Sequence, residues 1–451
     1  MAEKVVILDG SGPSDQDLAP VLGVLAETLQ QDGSALEVLS LKDLKLAHCI
    51  GCFGCWTRTP GICVENDAGR QVAQAFVQSD TAVLFTPVTF GGYSPELKRM
   101  TDRFIQLITP QFAIMHNEVH HPPRYTRRPR FLVVGVQRQS NPHEAEIFRT
   151  LGGRNALNLS PPSFASEVVA ATDSAETLQQ RFQSLLTRSD ALPSGQAAAE
   201  LMPSLNQPDP TLGQDVDKRA LLIIGSPKTN TVSASSILGS YLLDRLSALG
   251  WATDALTLRS SLNREEGQAE LLSAVERAGL ILLVFPLYAD ALPYLATRAL
   301  SLVAAARRQL SPAPPQRLMA LVNSGFPESH QNAVALAICR EFAAQSGIAW
   351  AGGLAMPGGG YVGAEALDAA KRAGPPVKHI VKALDLAAEA LDRGQAVPAE
   401  AATCLARSPI PMVPFAVWRR LYIHLAGSGF EQEAAKNGVG KARLLEQPYA
   451  A

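Results

Sequence analysis

The sequence contains no uninterrupted apolar run of about 18 residues, which argues against a transmembrane helix. Its first ten residues lead straight into an apolar strand, without a signal region or a cleavage pattern, so a cytoplasmic protein is expected. Basic charge is not in surplus: Lys and Arg number 40 against 42 Asp and Glu, a net charge of −2, which points away from nucleic acid. The Gly-Lys-Ser/Thr ending of a Walker A loop and the GxGxxG dinucleotide fingerprint are both missing. No nucleophile, general acid or general base of a hydrolase is placed by spacing, so no catalytic side chain is assigned. A hydrophobic content of 47% and a charged content of 18% describe an ordinary globular protein, and 451 residues exceed one core, which predicts two domains and an appendage.

The most unusual stretch runs from Cys49 through Cys52 and Cys55 to Cys63 and holds four of the six cysteines. In a cytoplasm that keeps thiols reduced, such density suits metal or redox chemistry better than structural disulfides. Around it the chain alternates strands and helices. Residues 4–9, 36–41, 81–85, 131–136 and 166–171 read as strands, and 18–31, 68–78 and 95–108 as helices, the pattern of a parallel doubly wound sheet. Residues 191–217, rich in Pro, Ser, Gly and Gln, read as a linker between a first domain, 1–190, and a second, 218–398. Residues 399–451 form a helical C-terminal extension, in which Val417 to Leu425 is amphipathic and is read as docked on its own domain rather than on a membrane.

The second domain repeats the first. From the first loop glycine to the end of the second strand the distances are 31 residues (Gly10 to Leu41) and 33 (Gly225 to Leu258). From there to the next loop proline they are 46 (to Pro87) and 28 (to Pro286). The 18-residue excess matches Cys49 to Asn66, so the cysteine stretch reads as a graft between the second strand and second helix of one copy.

In the second copy a strand, then Gly225 to Thr231, then a helix make a phosphate cradle: small residues turn backbone N–H groups inward, hydroxyls surround them and a helix dipole adds to the field. Its partner loop starts at Pro286, and the corresponding loop of the first copy at Thr86. Both follow the third strand, at the switch point of a 2-1-3-4-5 sheet where flavin mononucleotide binds.

On these residues both halves resemble the flavodoxin-like NAD(P)H-dependent FMN reductases, and the stretch Lys436 to Tyr449 is similar to the tails of unfused members. The resemblance implies two tandem flavodoxin-like sheets of order 2-1-3-4-5 with a helical C-terminal tail. It implies that Ser226, Lys228, Asn230, Thr231 and Ser233 contact the FMN phosphate and that Pro286, Leu287, Tyr288, Ala289 and Asp290 line the ring, with Gly325 and Gly359 closing the site. In the first copy Ser11 and Ser14 would meet phosphate, and Thr86, Pro87, Val88, Thr89, Phe90 and Gly91 the ring. That copy departs from the pattern: its phosphate loop holds Asp9 and Asp15 and no Lys or Arg, which repels a phosphate dianion. Which copy holds FMN stays open at this point.

The spacing Cys-x2-Cys-x2-Cys-x7-Cys is similar to that of the iron-sulfur flavoproteins, which implies a [4Fe-4S] cluster on Cys49, Cys52, Cys55 and Cys63. Cysteine-bearing flavin lids without metal occur in the same family, and zinc or a redox disulfide are further readings; four-thiolate zinc sites usually draw on two separated knuckles. His120 and His121 precede a basic stretch read as a solvated or interface loop. The resemblance implies FMN-dependent oxidation of NAD(P)H, with electrons passed to a quinone, flavin, nitro compound or protein. The rival readings are an iron-sulfur electron carrier between redox proteins and a non-catalytic scaffold. An intramolecular pseudo-dimer is expected, with a homodimer a further option.

Overall fold

The computed structural model describes residues 2–450 except 31–32, 194, 208, 211, 214, 229–231, 311, 363–366, 368–376 and 411–412. The chain divides into two compact units, Met1–Ser194 with Ile423–Ala451, and Gly195–Tyr422.

In the first unit, strands β1 (Lys4–Asp9), β2 (Ala35–Ser40) and β3 (Thr81–Pro87) are followed by a short antiparallel hairpin of β4 (Ala113–Met115) and β5 (Glu118–His120), then by β6 (Arg130–Gln137) and β7 (Phe164–Ala170). The large sheet has the order β2-β1-β3-β6-β7 and is parallel throughout, which is the expected 2-1-3-4-5. Every residue of β3 is buried, as a central strand covered on both faces requires. On one face Val5, Ile7, Val83 and Phe85 share a core with Val21, Leu25 and Leu29 of the helix Ala19–Gln30 and with Phe182 and Leu185 of the helix Ala175–Thr187. On the other face Phe148, from the helix Pro142–Leu159, lies over Gly135 of β6.

The second unit repeats this with β8 (Arg219–Ile224), β9 (Ala252–Thr257), β10 (Leu280–Pro286), β11 (Arg317–Asn323) and β12 (Ala349–Met356), parallel and in the order β9-β8-β10-β11-β12. Leu238 and Leu242 of the helix Ala234–Ala248, with Ile380, Leu384 and Leu391 of Lys378–Asp392, build the core on one face.

Three expectations differ from the structure. The stretch read as a linker carries a helix, Gly195–Leu201, and a turn, Pro203–Asn206, fastened to the second unit. Trp350 Nε1 donates to the Leu205 carbonyl at 2.5 Å, Gly353 N to Asn206 Oδ1 at 2.9 Å, and Leu212 enters the core. Packing there overrides a composition that suggests disorder. The C-terminal extension is divided as well: the helix Ala399–Leu405 belongs to the second unit, whereas residues from Ile423 onward belong to the first. His120 and His121 are buried rather than solvated. His120 bridges Glu118 Oε2 (3.1 Å) and Asn158 Oδ1 (3.0 Å), and Arg154 pairs with the same Glu118 oxygen at 2.6 Å.

Gly10 and Gly225 open the first loop of each unit, and each donates its N–H to the strand behind, to Phe85 O and Val284 O, both at 2.8 Å. A Cβ on Gly10 would sit 2.5 Å from Leu97 Cβ, and one on Gly225 2.7 Å from Phe285 Cβ. Gly10→Ala and Gly225→Ala are each expected to destabilise their own unit by about 1–3 kcal/mol, read as a lowered urea midpoint with an unchanged slope.

Candidate functional site

The loops after β3 and β10 share one backbone shape. Thr89 and Gly92 exchange N–H···O bonds of 2.9 and 2.8 Å, and Tyr288 and Ala291 exchange two of 3.0 Å. The two residues inside each turn lie in the left-handed region: Phe90 (φ 55°) and Gly91 (φ 81°), Ala289 (φ 45°) and Asp290 (φ 58°). Glycine and asparagine suit such a turn; a phenylalanine or alanine there carries strain of about 1–3 kcal/mol, and strain of this kind gathers at functional sites.

The second unit draws its expected residues together at the carboxyl ends of the strands. Leu287 N donates to Asn323 O at 2.8 Å, and Asn323 Oδ1 accepts from Ser235 Oγ at 2.7 Å. Asn323 therefore ties the loop after β10 to the first turn of the helix that follows the loop after β8. Gly359 N donates to Ser324 O, and Gly358 N to Phe326 O, both at 2.8 Å, which joins the Gly325 loop to the Gly359 turn. Gly325 O also accepts from the Tyr422 hydroxyl. Pro286, Leu287, Tyr288 and Ala289 are half-buried and Asp290 is buried. In the loop after β8, where phosphate contacts are expected, Ser226 is buried and Lys228 exposed, and Ser233 caps the helix through a hydrogen bond from Ser236 N; Thr229, Asn230 and Thr231 lie outside the described residues.

The first unit is more closed. Thr86 is buried and its Oγ1 accepts from Ser94 N at 3.0 Å, Pro87, Phe90 and Gly91 are buried, and Val88 and Thr89 are half-buried. Gly91 N donates to Glu144 Oε1 at 3.3 Å. Ser11 is buried and Ser14 exposed. Ser11 N donates to Asp9 Oδ1 at 2.9 Å and Gly12 N to Asp15 Oδ2 at 2.7 Å.

The cysteine segment is a pouch closed at its neck. Asp67 Oδ2 accepts from Ala47 N and from Arg103 Nη1, both at 2.7 Å, and Arg103 Nη1 also reaches Ala47 O at 3.1 Å. Burial opposes the charge on Asp67, yet the Arg103 guanidinium and the Ala47 amide hold its carboxyl below the usual range. Within the pouch Trp56 Nε1 donates to Ile105 O and Ile108 O, and Cys63 N donates to Gln106 Oε1 at 3.0 Å. Cys49, Cys52, Cys55 and Cys63 are free thiols that line a single cavity together with His48 and Arg103. Burial pushes the Cys49 thiol up to about 12, reinforced by Asp102 and the neighbouring sulfurs; Cys55 is pushed up by burial and by Cys49, Cys63 and Cys52. Four unpaired thiols facing one cavity are a donor set suited to an iron-sulfur cluster. Among the described residues no group of three or more His, Cys, Asp or Glu is arranged to hold a metal ion, so the cysteines share a space without converging on a point.

The end of the chain covers this pouch. Phe430 packs 5.2 Å from Phe53 and edge-on to Trp56 at 4.9 Å (ring centroids). Arg124 donates to Leu444 O and Glu446 O at 2.8 and 2.9 Å. Pro448 crosses Gly61, and the Tyr449 carbonyl accepts from Gln78 Nε2 at 3.2 Å. Asp67, Arg103, Gln106, Arg124 and Asn323 all escape a reading of the sequence. Only Asn323 leaves a trace there, as a polar residue ending an apolar strand.

Residues 4–166 match the sequence profile of the NADPH-dependent FMN reductases. Curated relatives include the iron-sulfur flavoprotein of Archaeoglobus fulgidus, 30% identical over 100 residues (22% of this chain, 48% of that protein). That of Methanocaldococcus jannaschii is also 30% identical over 100 residues (22% and 51%), and that of Methanosarcina thermophila 24% over 111 (25% and 57%). The chain thus spans about half the length of the curated relatives it matches. Among solved structures, an NAD(P)H:quinone oxidoreductase from Methanothermobacter marburgensis is 15% identical with a TM-score of 0.34, over 41% of this chain and 97% of that one. An NADH:FMN oxidoreductase is 15% identical with a TM-score of 0.29, over 43% and 92%.

Removing one partner of the pouch's ion pair strands a buried charge: Asp67→Ala is expected to destabilise the first unit by about 3–5 kcal/mol, and Asp67→Leu with Arg103→Met to recover most of the loss, both read from urea unfolding. His121, packed at a tilt against Trp56 and Phe112, is held neutral by burial, its pKa lowered from 6.5 to about 4. The unfolded chain therefore binds the proton first. Stability should fall as pH drops from 6.5 to about 4 and level off below, a loss of roughly 3 kcal/mol that is absent from a folded His121→Gln variant in pH-dependent unfolding.

Proposed function

We propose that the chain is an FMN-dependent NAD(P)H oxidoreductase that passes electrons to a small-molecule acceptor such as a quinone, a flavin or a nitro compound, or to a redox protein. The observation that carries this reading is the strained turn Pro286–Ala291, half-buried from Pro286 to Ala289 and buried at Asp290 and Ala291. It stands at the switch point of a 2-1-3-4-5 sheet and is tied through Asn323 to the helix behind the phosphate cradle. A rigid, partly apolar strip at that place suits the flat face of an isoalloxazine ring. Ser226, Lys228 and Ser233 then serve the phosphate, and Gly325 and Gly359 allow close backbone approach at the far edge. Flavin, when bound, supplies hydride acceptance and one- or two-electron release; these residues position it and shape its surroundings.

The second part of the proposal concerns the thiol cavity. Cys49, Cys52, Cys55 and Cys63 would hold a [4Fe-4S] cluster, which supplies one-electron transfer. Loading has to remove protons that burial keeps on Cys49 and Cys55, with iron supplying the compensating charge. This cavity also favours a second reading, a carrier of single electrons between proteins without turnover of a small substrate.

Protein purified without oxygen is expected to contain FMN and about four iron and four labile sulfides per chain, and Cys55→Ser to lose the iron while keeping the flavin. Flavin without iron in the parent chain would leave a cysteine-lined cover and remove the cluster. Steady-state oxidation of NADH and NADPH with a quinone separates the reductase, which turns over, from the carrier, which does not.

A further inference from the structure

We infer that the chain holds a single FMN, in the second unit, because the phosphate loop of the first unit is already filled by its own carboxylates. This rests on the flavin reading above and assigns the site within it. The two loops start alike, with Gly10 and Gly225 bonded to the strand behind at the same 2.8 Å. They diverge at once. In the first unit the next two amides, which would turn toward a phosphate, are taken: Ser11 N by Asp9 Oδ1 at 2.9 Å and Gly12 N by Asp15 Oδ2 at 2.7 Å. Each carboxylate oxygen stands where a phosphate oxygen would accept the same hydrogen bond.

Charge reinforces the geometry. The cation that reaches this loop, Arg138, is engaged by acids of the loop itself, donating to Asp15 Oδ1 at 2.7 Å and to Asp17 Oδ1 and Oδ2 at 2.8 Å. Asp17 lies in the first turn after the loop, so the helix start that ordinarily attracts an anion carries negative charge. Glu96 is also close: a Cβ on Gly12 would stand 3.4 Å from its carboxylate. A dianion entering here would have to displace two internal acceptors and meet at least three carboxylates.

The second unit differs at the corresponding positions. Ile224, the last residue of β8, stands where the first unit has Asp9, the last residue of β1. The stretch Gly225 to Ser233 contains no Asp or Glu and one lysine, Lys228. The first turn of the following helix holds no acid, and its N-cap is the neutral Ser233. The cysteine pouch and the phosphate cradle therefore fall to different units: the first retains the fold and elaborates thiol chemistry, and the second keeps the nucleotide.

The test is FMN binding to the full chain after flavin removal, followed by fluorescence quenching and calorimetry, with riboflavin as the probe that lacks phosphate. Two exposed positions are reversed or charged in turn, Lys228→Glu in the second unit and Ser14→Asp in the first, with circular dichroism confirming that each variant folds. The expected result is one FMN per chain, an affinity at least tenfold weaker in Lys228→Glu, riboflavin binding unchanged in that variant, and Ser14→Asp within twofold of the parent. Two FMN per chain, or a loss in Ser14→Asp with Lys228→Glu unaffected, overturns the assignment while leaving the flavin reading standing. A chain that takes up neither FMN nor riboflavin overturns both.

Discussion

A guanidinium buried between two ends of a loop is the constraint on which the first unit depends. Arg103 stands on the helical turn after the third strand, yet its partners, Asp67 and the Ala47 carbonyl, frame the cysteine segment on either side. A graft placed between a strand and a helix has no ladder of its own to hold it, so its neck has to be closed by side chains. One ion pair closes it, with the amides of Ala47 and Gly69 saturating the remaining carboxylate positions. Because that pair is buried, it contributes geometry more than net stability; its loss would be felt as an uncompensated charge. Gly69 is small for the same reason: the guanidinium lies 2.4 Å from where its Cβ would be.

The two units show how one scaffold tolerates divergence in its loops. Sheet order, the glycine that opens the first loop and the left-handed turn after the third strand are kept in both. These are backbone requirements set by the packing of strand on helix, and side chains are free to change around them. What differs is the chemistry of the first loop: in one unit carboxylates accept from its amides, while the sequence of the other carries a lysine and no acid between Gly225 and Ser233.

Much of this was legible beforehand because it is written in periodicity. Buried apolar runs mark the central strands, Pro and Gly mark the loops at their ends, and the spacing of landmarks exposes the repeat and the graft. Reading fails where long-range packing decides. The region from Gly195 to Leu212 has the composition of a linker, and nothing local reveals that Trp350 and Gly353 reach across to bind it. His120 and His121 sit beside arginines, which suggests solvent; in the fold His120 joins the buried Glu118–Arg154 pair and His121 hydrogen-bonds the Gln111 carbonyl, partners distant in sequence or invisible to composition. The acids of the first loop were visible as letters and as a repulsion, but their role as hydrogen-bond acceptors for Ser11 and Gly12 appears only in three dimensions.

The first unit is discontinuous, and this matters before the protein is ever complete. Phe430, Pro448 and Tyr449 pack on and beside the cysteine pouch, yet they emerge from the ribosome only after the roughly 230 residues of the second unit have been made. At about 5–20 residues per second that interval is on the order of 10–45 s. During it the sheet of the first unit can form while its four thiols still lack their cover. The order of synthesis thus leaves an interval in which anything destined for that pouch meets it before Phe430, Pro448 and Tyr449 have packed against it.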